Sequence, residues 1–238
     1  MRLGNFVEIA LNVPDLARSL PFYERMGFDK LDQAWEPWPW VILSDGAVTL
    51  QLNQGTPGLP VLAYIAGDME QRITALEASG VRVERTLGGR GEPRAVFRAP
   101  AGLEVALVDY PARRIPRGEG GSYCKLGSFG ELAWPVEEVE EAVRFWQGLG
   151  FEKRRGHRLP YPWAILSDGL MTLGLYATRD VEKPALVYYA NNPAERLEML
   201  ATEGFEPQGE IPSPISGVGR YIFEPPDGQI WLMLDYRD

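Results

Sequence analysis

Two glutamates, Glu8 and Glu131, occupy the same place in two matching octets, Leu3-Gly4-Asn5-Phe6-Val7-Glu8-Ile9-Ala10 and Leu126-Gly127-Ser128-Phe129-Gly130-Glu131-Leu132-Ala133. A carboxyl group among apolar neighbours serves as a recognition group, a metal ligand or a general base, and such surroundings raise its pKa. Aromatic residues recur in step with the glutamates. Trp38 and Trp40 in Trp38-Pro39-Trp40-Val41-Ile42-Leu43-Ser44-Asp45-Gly46 return as Tyr161 and Trp163 in Tyr161-Pro162-Trp163-Ala164-Ile165-Leu166-Ser167-Asp168-Gly169. Rings so placed either fill a core or wall a pocket for a planar ligand. The chain has one histidine, His157, so it cannot by itself build a two-His-one-carboxylate iron site or a multi-His zinc site. Nucleophilic catalysis with a histidine base would run through that residue alone, and its place before Arg158-Leu159-Pro160 reads as an exposed loop. Cys124 is the only cysteine. It excludes an intrachain disulfide, suits a reducing cytoplasm, and has no basic neighbourhood that would activate it.

The glutamates belong to a duplication. Gly27-Phe28 returns as Gly150-Phe151, Tyr64-Ile65-Ala66 as Tyr188-Tyr189-Ala190, and Asp109-Tyr110 as Asp235-Tyr236, all in order. The spacing implies two homologous domains, 1–111 and 126–238, joined by a Pro-, Gly- and Arg-rich linker over 112–125. With 238 residues, 45% hydrophobic and 24% charged, each half is long enough to bury a core. The net charge of −9 repels polyanions and argues against a nucleic-acid partner. No apolar run reaches the roughly 18 residues of a membrane span, and Met1 to Asn5 lack the apolar core of a signal peptide, so a cytoplasmic location without a membrane partner is expected.

Within each half the pattern reads βαβββ twice. Phe6 to Val13 alternates as a strand, Pro14-Asp15 opens a helix that Gly27 stops, and runs near 28–34, 38–44 and 47–53 read as strands. Asp45-Gly46 marks a tight hairpin between the last two. A strand over 60–66, a helix over 69–78 and further strands to Asp109 complete the unit. Helices on one face of a mostly antiparallel sheet leave the other face free to curl into a cup.

Alternation assigns the cup face. If Val7, Ile9 and Leu11 face the helices, Glu8 faces the cup. A two-residue Asp45-Gly46 turn sets Trp40 opposite Gln51, with Trp38 and Gln51 in the first cup. In the second cup lie Glu131, Tyr161, Trp163 and Tyr176, and Gly174 makes room for the Trp163 indole. The same parity sends Leu62, Tyr64, Leu186 and Tyr188 into the cups, where Tyr64 or Tyr188 could bond a glutamate. Arg94 and Arg220, equivalent residues before Phe97 and Phe223, are strand ends or clamps for carboxylate or phosphate at the cup rim.

The tandem βαβββ units, Asn12-Val13-Pro14-Asp15-Leu16, Phe22-Tyr23 before Met26-Gly27-Phe28, and the turn Phe223-Glu224-Pro225-Pro226-Asp227-Gly228 resemble the vicinal oxygen chelate superfamily. That superfamily includes glyoxalase I, extradiol dioxygenases, fosfomycin-resistance thiol transferases and bleomycin-resistance proteins. The resemblance spans nearly the whole chain outside the linker. It implies an α+β fold of tandem domains, each with two βαβββ units in a curled mixed sheet and helices outside. In metal-dependent members, His or Glu ligands come from the first, fourth, fifth and eighth strands. Carried over, those places hold Glu8, Gln51, Leu62 and Ala106, then Glu131, Gly174, Leu186 and Leu232. A divalent ion takes about four or more N, O or S ligands, so the expectation is no metal and no other cofactor. The alternative is an oxygen site of Glu8, Gln51 and Glu104 in a shifted register, suited to Mg or Mn.

Three functions follow, and whether the chain is an enzyme stays open. The first is a small-molecule-binding protein, similar to bleomycin-resistance proteins, that sequesters an aromatic or amphipathic ligand. A cation is favoured there if Glu8 or Glu131 supplies charge and Trp40 or Trp163 a ring face. The second is a divalent-metal lyase, isomerase or dioxygenase with Glu8 or Glu131 as ligand or base. The third is a non-catalytic association scaffold whose own aromatics plug the cups. The chain could be a monomer that mimics a dimer, or a homodimer.

Overall fold

A computed structural model describes residues 2–36, 38–87, 92–110, 124–211 and 219–236. The first half runs β1 (Phe6–Val13), α1 (Leu16–Arg25), β2 (Asp29–Ala34), β3 (Trp40–Ser44), β4 (Thr49–Gln54), β5 (Val61–Ala66), α2 (Met69–Ala78), β6 (Glu84–Arg85), β7 (Pro93–Arg98) and β8 (Glu104–Asp109). The second half repeats the order as β9 (Ser128–Pro135), α3 (Val139–Gly148), β10 (Glu152–His157), β11 (Trp163–Ser167), β12 (Thr172–Tyr176), β13 (Ala185–Ala190), α4 (Pro193–Thr202), β14 (Gly209–Glu210), β15 (Arg220–Phe223) and β16 (Ile230–Asp235). Each half forms one mixed eight-stranded sheet, ordered β2-β3-β4-β1-β5-β8-β7-β6 and β10-β11-β12-β9-β13-β16-β15-β14. Most of the linker assigned from sequence over 112–125, its residues 112–123, lies outside the described residues. Cys124 and Leu126, at its end, are buried.

Local chemistry explains the element ends. Asp15 caps α1, its Oδ1 accepting from the Arg18 amide at 3.1 Å, so the helix that the sequence opens at Pro14-Asp15 begins at Leu16 with Pro14 outside it. Gly27, at φ 101°, then turns the chain as only glycine does at low cost. In α2 the buried Met69, Ile73 and Leu76 recur at helical spacing and fix the face turned to the sheet.

The two halves share one core. Val7, Ile9, Leu11, Leu62, Tyr64, Val105 and Leu107 of the first sheet join Leu132, Trp134, Leu186, Tyr188 and Trp231 of the second in one buried cluster with the helices. Helix α1 reaches across, stacking Phe22 and Tyr23 edge-on to Trp231 at ring separations of 5.7 and 5.2 Å. Helix α3 returns the contact through Phe145 to Phe97 at 6.4 Å. Such pairs add about 0.5–1.5 kcal/mol each beyond the area they bury. The opposite sheet faces carry separate apolar clusters, Ala63, Ile65, Ala106 and Val108 in the first half and Ala133, Ala185, Val187, Ile211 and Leu232 in the second. These are the floors of the two cups. No helix among the described residues is long and apolar enough to cross a membrane.

Candidate functional site

Register decides which side chains enter each cup. Glu8 stands opposite Ala63 and Glu131 opposite Val187, so both acids share a face with the cup clusters, and both are buried. The hairpins differ from the sequence expectation. Ser44 pairs with Thr49 and Ser167 with Thr172, leaving four-residue loops in which Asp45 Oδ1 and Asp168 Oδ1 each accept two backbone amides at 2.8–2.9 Å. These Asx turns move the pairing by two residues. Trp40 therefore faces Asn53 rather than Gln51, and Trp163 faces Tyr176 rather than Gly174.

The fifth-strand expectation is reversed. Leu62, Tyr64, Leu186 and Tyr188 are fully buried in the shared core, and Val61, Ala63 and Ile65 belong to the first cup with Ala185, Val187 and Tyr189 in the second. A central strand is apolar on both faces, so hydrophobicity alone cannot tell its sides apart. Tyr64 instead donates to Asp168 Oδ2 at 2.8 Å across the two halves, and Tyr188 packs on Phe129 and Trp231. Neither tyrosine serves a glutamate. Trp38 is 75% exposed and encloses nothing. Arg94 pairs with Asp109 at 3.7 Å at the rim of the first sheet. His157 is the exposed last residue of β10, its ring 6.5 Å from that of Trp163.

The second cup holds the clearest site, a cavity of about 250 Å³. Tyr161, Trp163, Tyr176 and Tyr189 supply aromatic walls, Val187 and Leu232 an aliphatic floor, and Arg155, Arg220 and Asp180 the charged groups. Glu131 lies outside this lining and acts through Tyr176, whose hydroxyl donates to Glu131 Oε1. Burial pushes the Glu131 carboxyl from 4.5 up to about 7, against a smaller opposing effect of the Tyr176 bond. Gly174 makes room for this acid and not for the indole. A methyl group there would come within 2.6 Å of both the Glu131 carboxyl carbon and the Tyr176 ring. The sequence reading missed Arg155, Tyr189 and Asp180. A bulge at Lys153/Arg155 breaks the alternation that would have pointed to Arg155, and Tyr189 shares with Ala185 and Val187 the strand face opposite to the one expected.

The ligand positions of the metal-dependent fold members now read Glu8, Gln51, Ala63 and Ala106, and Glu131, Gly174, Val187 and Leu232. One carboxylate per cup among alkyl groups does not fit a divalent ion. Gln51 Nε2 donates to Asn53 Oδ1 at 3.0 Å, and Glu104 lies 3.5 Å from Arg98, so the alternative oxygen set has other partners. Among the described residues no three His, Cys, Asp or Glu side chains group to hold a metal.

No protein-family model matches the chain, and no curated protein does. Solved structures do. A catechol 2,3-dioxygenase superposes with TM-score 0.64 at 12% identity, covering 96% of this chain and 86% of its own. The 2,3-dioxygenase LapB from Pseudomonas sp. KL28 gives TM-score 0.64 at 12% identity over 96% and 90%. A Mn(II)-bound glyoxalase from Novosphingobium aromaticivorans gives 0.62 at 18% identity over 97% and 81%. The last overturns the expectation that no cofactor belongs here: a protein of this same architecture holds Mn(II), so the architecture gives no ground for that expectation. The described residues at those places, one carboxylate per cup among alkyl groups, do not themselves fit an ion. With two curled mixed sheets backed by four helices, the chain has the α+β fold of the vicinal oxygen chelate superfamily.

Proposed function

We propose that the chain is a small-molecule-binding protein that holds a planar aromatic or amphipathic ligand in its second cup. The supporting observation is the cavity of about 250 Å³ walled by Tyr161, Trp163, Tyr176 and Tyr189. Small-molecule sites are concave and mostly apolar, with a few fixed polar groups. Here the volume suits one or two fused rings, and the Tyr176–Glu131 bond fixes the orientation of one polar wall group. Sequestration needs nothing more than this surface. A cytoplasmic setting, where a lone buried thiol stays reduced, belongs to the same proposal.

Titration of the intact chain with 2-naphthol, followed by tryptophan fluorescence, tests the reading, because Trp163 is a wall of the site. Saturable quenching at micromolar to low millimolar probe is expected. A response that is flat, or linear without saturation, overturns it.

A further inference from the structure

Resting on the aromatic-cup reading and taking it further, we propose that the ligand of the second cup carries an oxyanion at its polar end, received by Arg155 and Arg220. Both arginines line the cavity that the aromatic walls enclose. They reach it from opposite sides of the sheet. Arg155 stands on the edge strand β10 opposite Ile165, in a transverse row that continues through Gly174 to Ala133. Arg220 stands on β15 opposite Leu234, beyond the central strands. Curling of the sheet brings the two to one hollow. Asp180 is the single acid among the described lining residues, where two guanidinium groups meet one carboxylate. A positive hollow in a chain of net charge −9 runs against the average of its surface.

The first cup shows that the fold does not require this charge. Asp32 faces Ile42 there as Arg155 faces Ile165 here. The polar wall of the second cup also favours an anion over the cation expected from sequence. Tyr176 spends its hydroxyl proton on Glu131, which does not itself line the cavity, so Asp180 is left as the carboxylate facing a ligand among the described lining residues, against two guanidinium groups. A flat ring laid between Trp163 and the tyrosines would turn its oxygens toward two planar forks, each matched to two acceptor atoms.

Calorimetric titrations of the intact chain at pH 7 with 2-naphthoate, 2-naphthyl phosphate, 2-naphthol and 2-naphthylmethylammonium separate the possibilities. The expected result is that one of the two anions binds at least about tenfold more tightly than the neutral and cationic probes, the winner naming the oxyanion. Arg155→Gln and Arg220→Gln should each lower the anion-to-naphthol affinity ratio by about tenfold, with thermal melts confirming that both variants are folded. If 2-naphthol binds and neither anion exceeds it, or the ammonium probe binds best, the charge assignment fails and the aromatic cup stands. If no probe binds, both fall.

Discussion

The two cups use the same backbone and keep the same glutamate, yet differ in almost every neighbour of that acid. Around Glu8 the matching positions hold Gln51, Asn53, Ala63, Ala106 and Asp32; around Glu131 they hold Gly174, Tyr176, Val187, Leu232 and Arg155. In the first cup an amide on β4 bonds the next amide along the same strand. In the second, the β4-equivalent position is a glycine, and the acid drops into the space where it takes the Tyr176 hydroxyl beneath a roof of rings. A duplicated carboxylate therefore does not imply a duplicated site. Its chemistry is set by what the neighbouring strands leave open.

The largest expected effect is a pH dependence of stability set by Glu131. The folded chain holds the Glu131 proton up to about pH 7, whereas a solvated glutamate releases it near 4.5. Raising pH through that window removes a proton that the fold favours keeping, so stability falls between those values and levels off above them. The full effect is on the order of 3 kcal/mol. Glu131→Gln has no proton to lose and should lack the fall when melting temperatures are compared from pH 4 to pH 8. Identical pH profiles for the two proteins would remove the buried acid from the account.

Next in size is the glycine on which the second cup depends. Gly174→Ala should cost about 1–3 kcal/mol in urea unfolding, because the added methyl meets the Glu131 carboxyl and the Tyr176 ring. Gln51→Ala, at the same place in the first cup, removes one half-buried amide bond and should cost less than about 1 kcal/mol. Equal costs would mean that the two cups are packed alike. A smaller effect probes the seam between halves. Tyr64→Phe deletes the bond to Asp168 and should cost about 1 kcal/mol, and no measurable change would show that this bond does not hold the halves together.

Much of the architecture was legible because it rests on local rules. The repeat, the β1 alternation and the Gly27 stop each state their own geometry, and the resemblance carried them to the correct superfamily fold. Glu8 and Glu131 were placed on the cup face by the alternation of single strands. The site faltered where position depends on pairing across strands. Asp45-Gly46 reads as a two-residue turn, yet the Asp side chain closes a four-residue loop and shifts the register by two. Tyr64 and Tyr188 look like pocket residues by chemistry, but β5 and β13 are apolar on both faces and only their pairing with β1 and β9 reveals the sides. Arg155 was hidden in the polar strand Glu152–His157, where no apolar residues mark the two faces and a bulge shifts them.

The central claim is that the second cup is a ligand site, and one calorimetric comparison addresses it. 2-Naphthol is titrated into the unaltered chain, into Trp163→Ala and into Trp40→Ala, which remove equivalent rings from the two cups. The account predicts an affinity loss of about tenfold or more in Trp163→Ala and a smaller change in Trp40→Ala. Loss of binding in Trp40→Ala with binding retained in Trp163→Ala would contradict it.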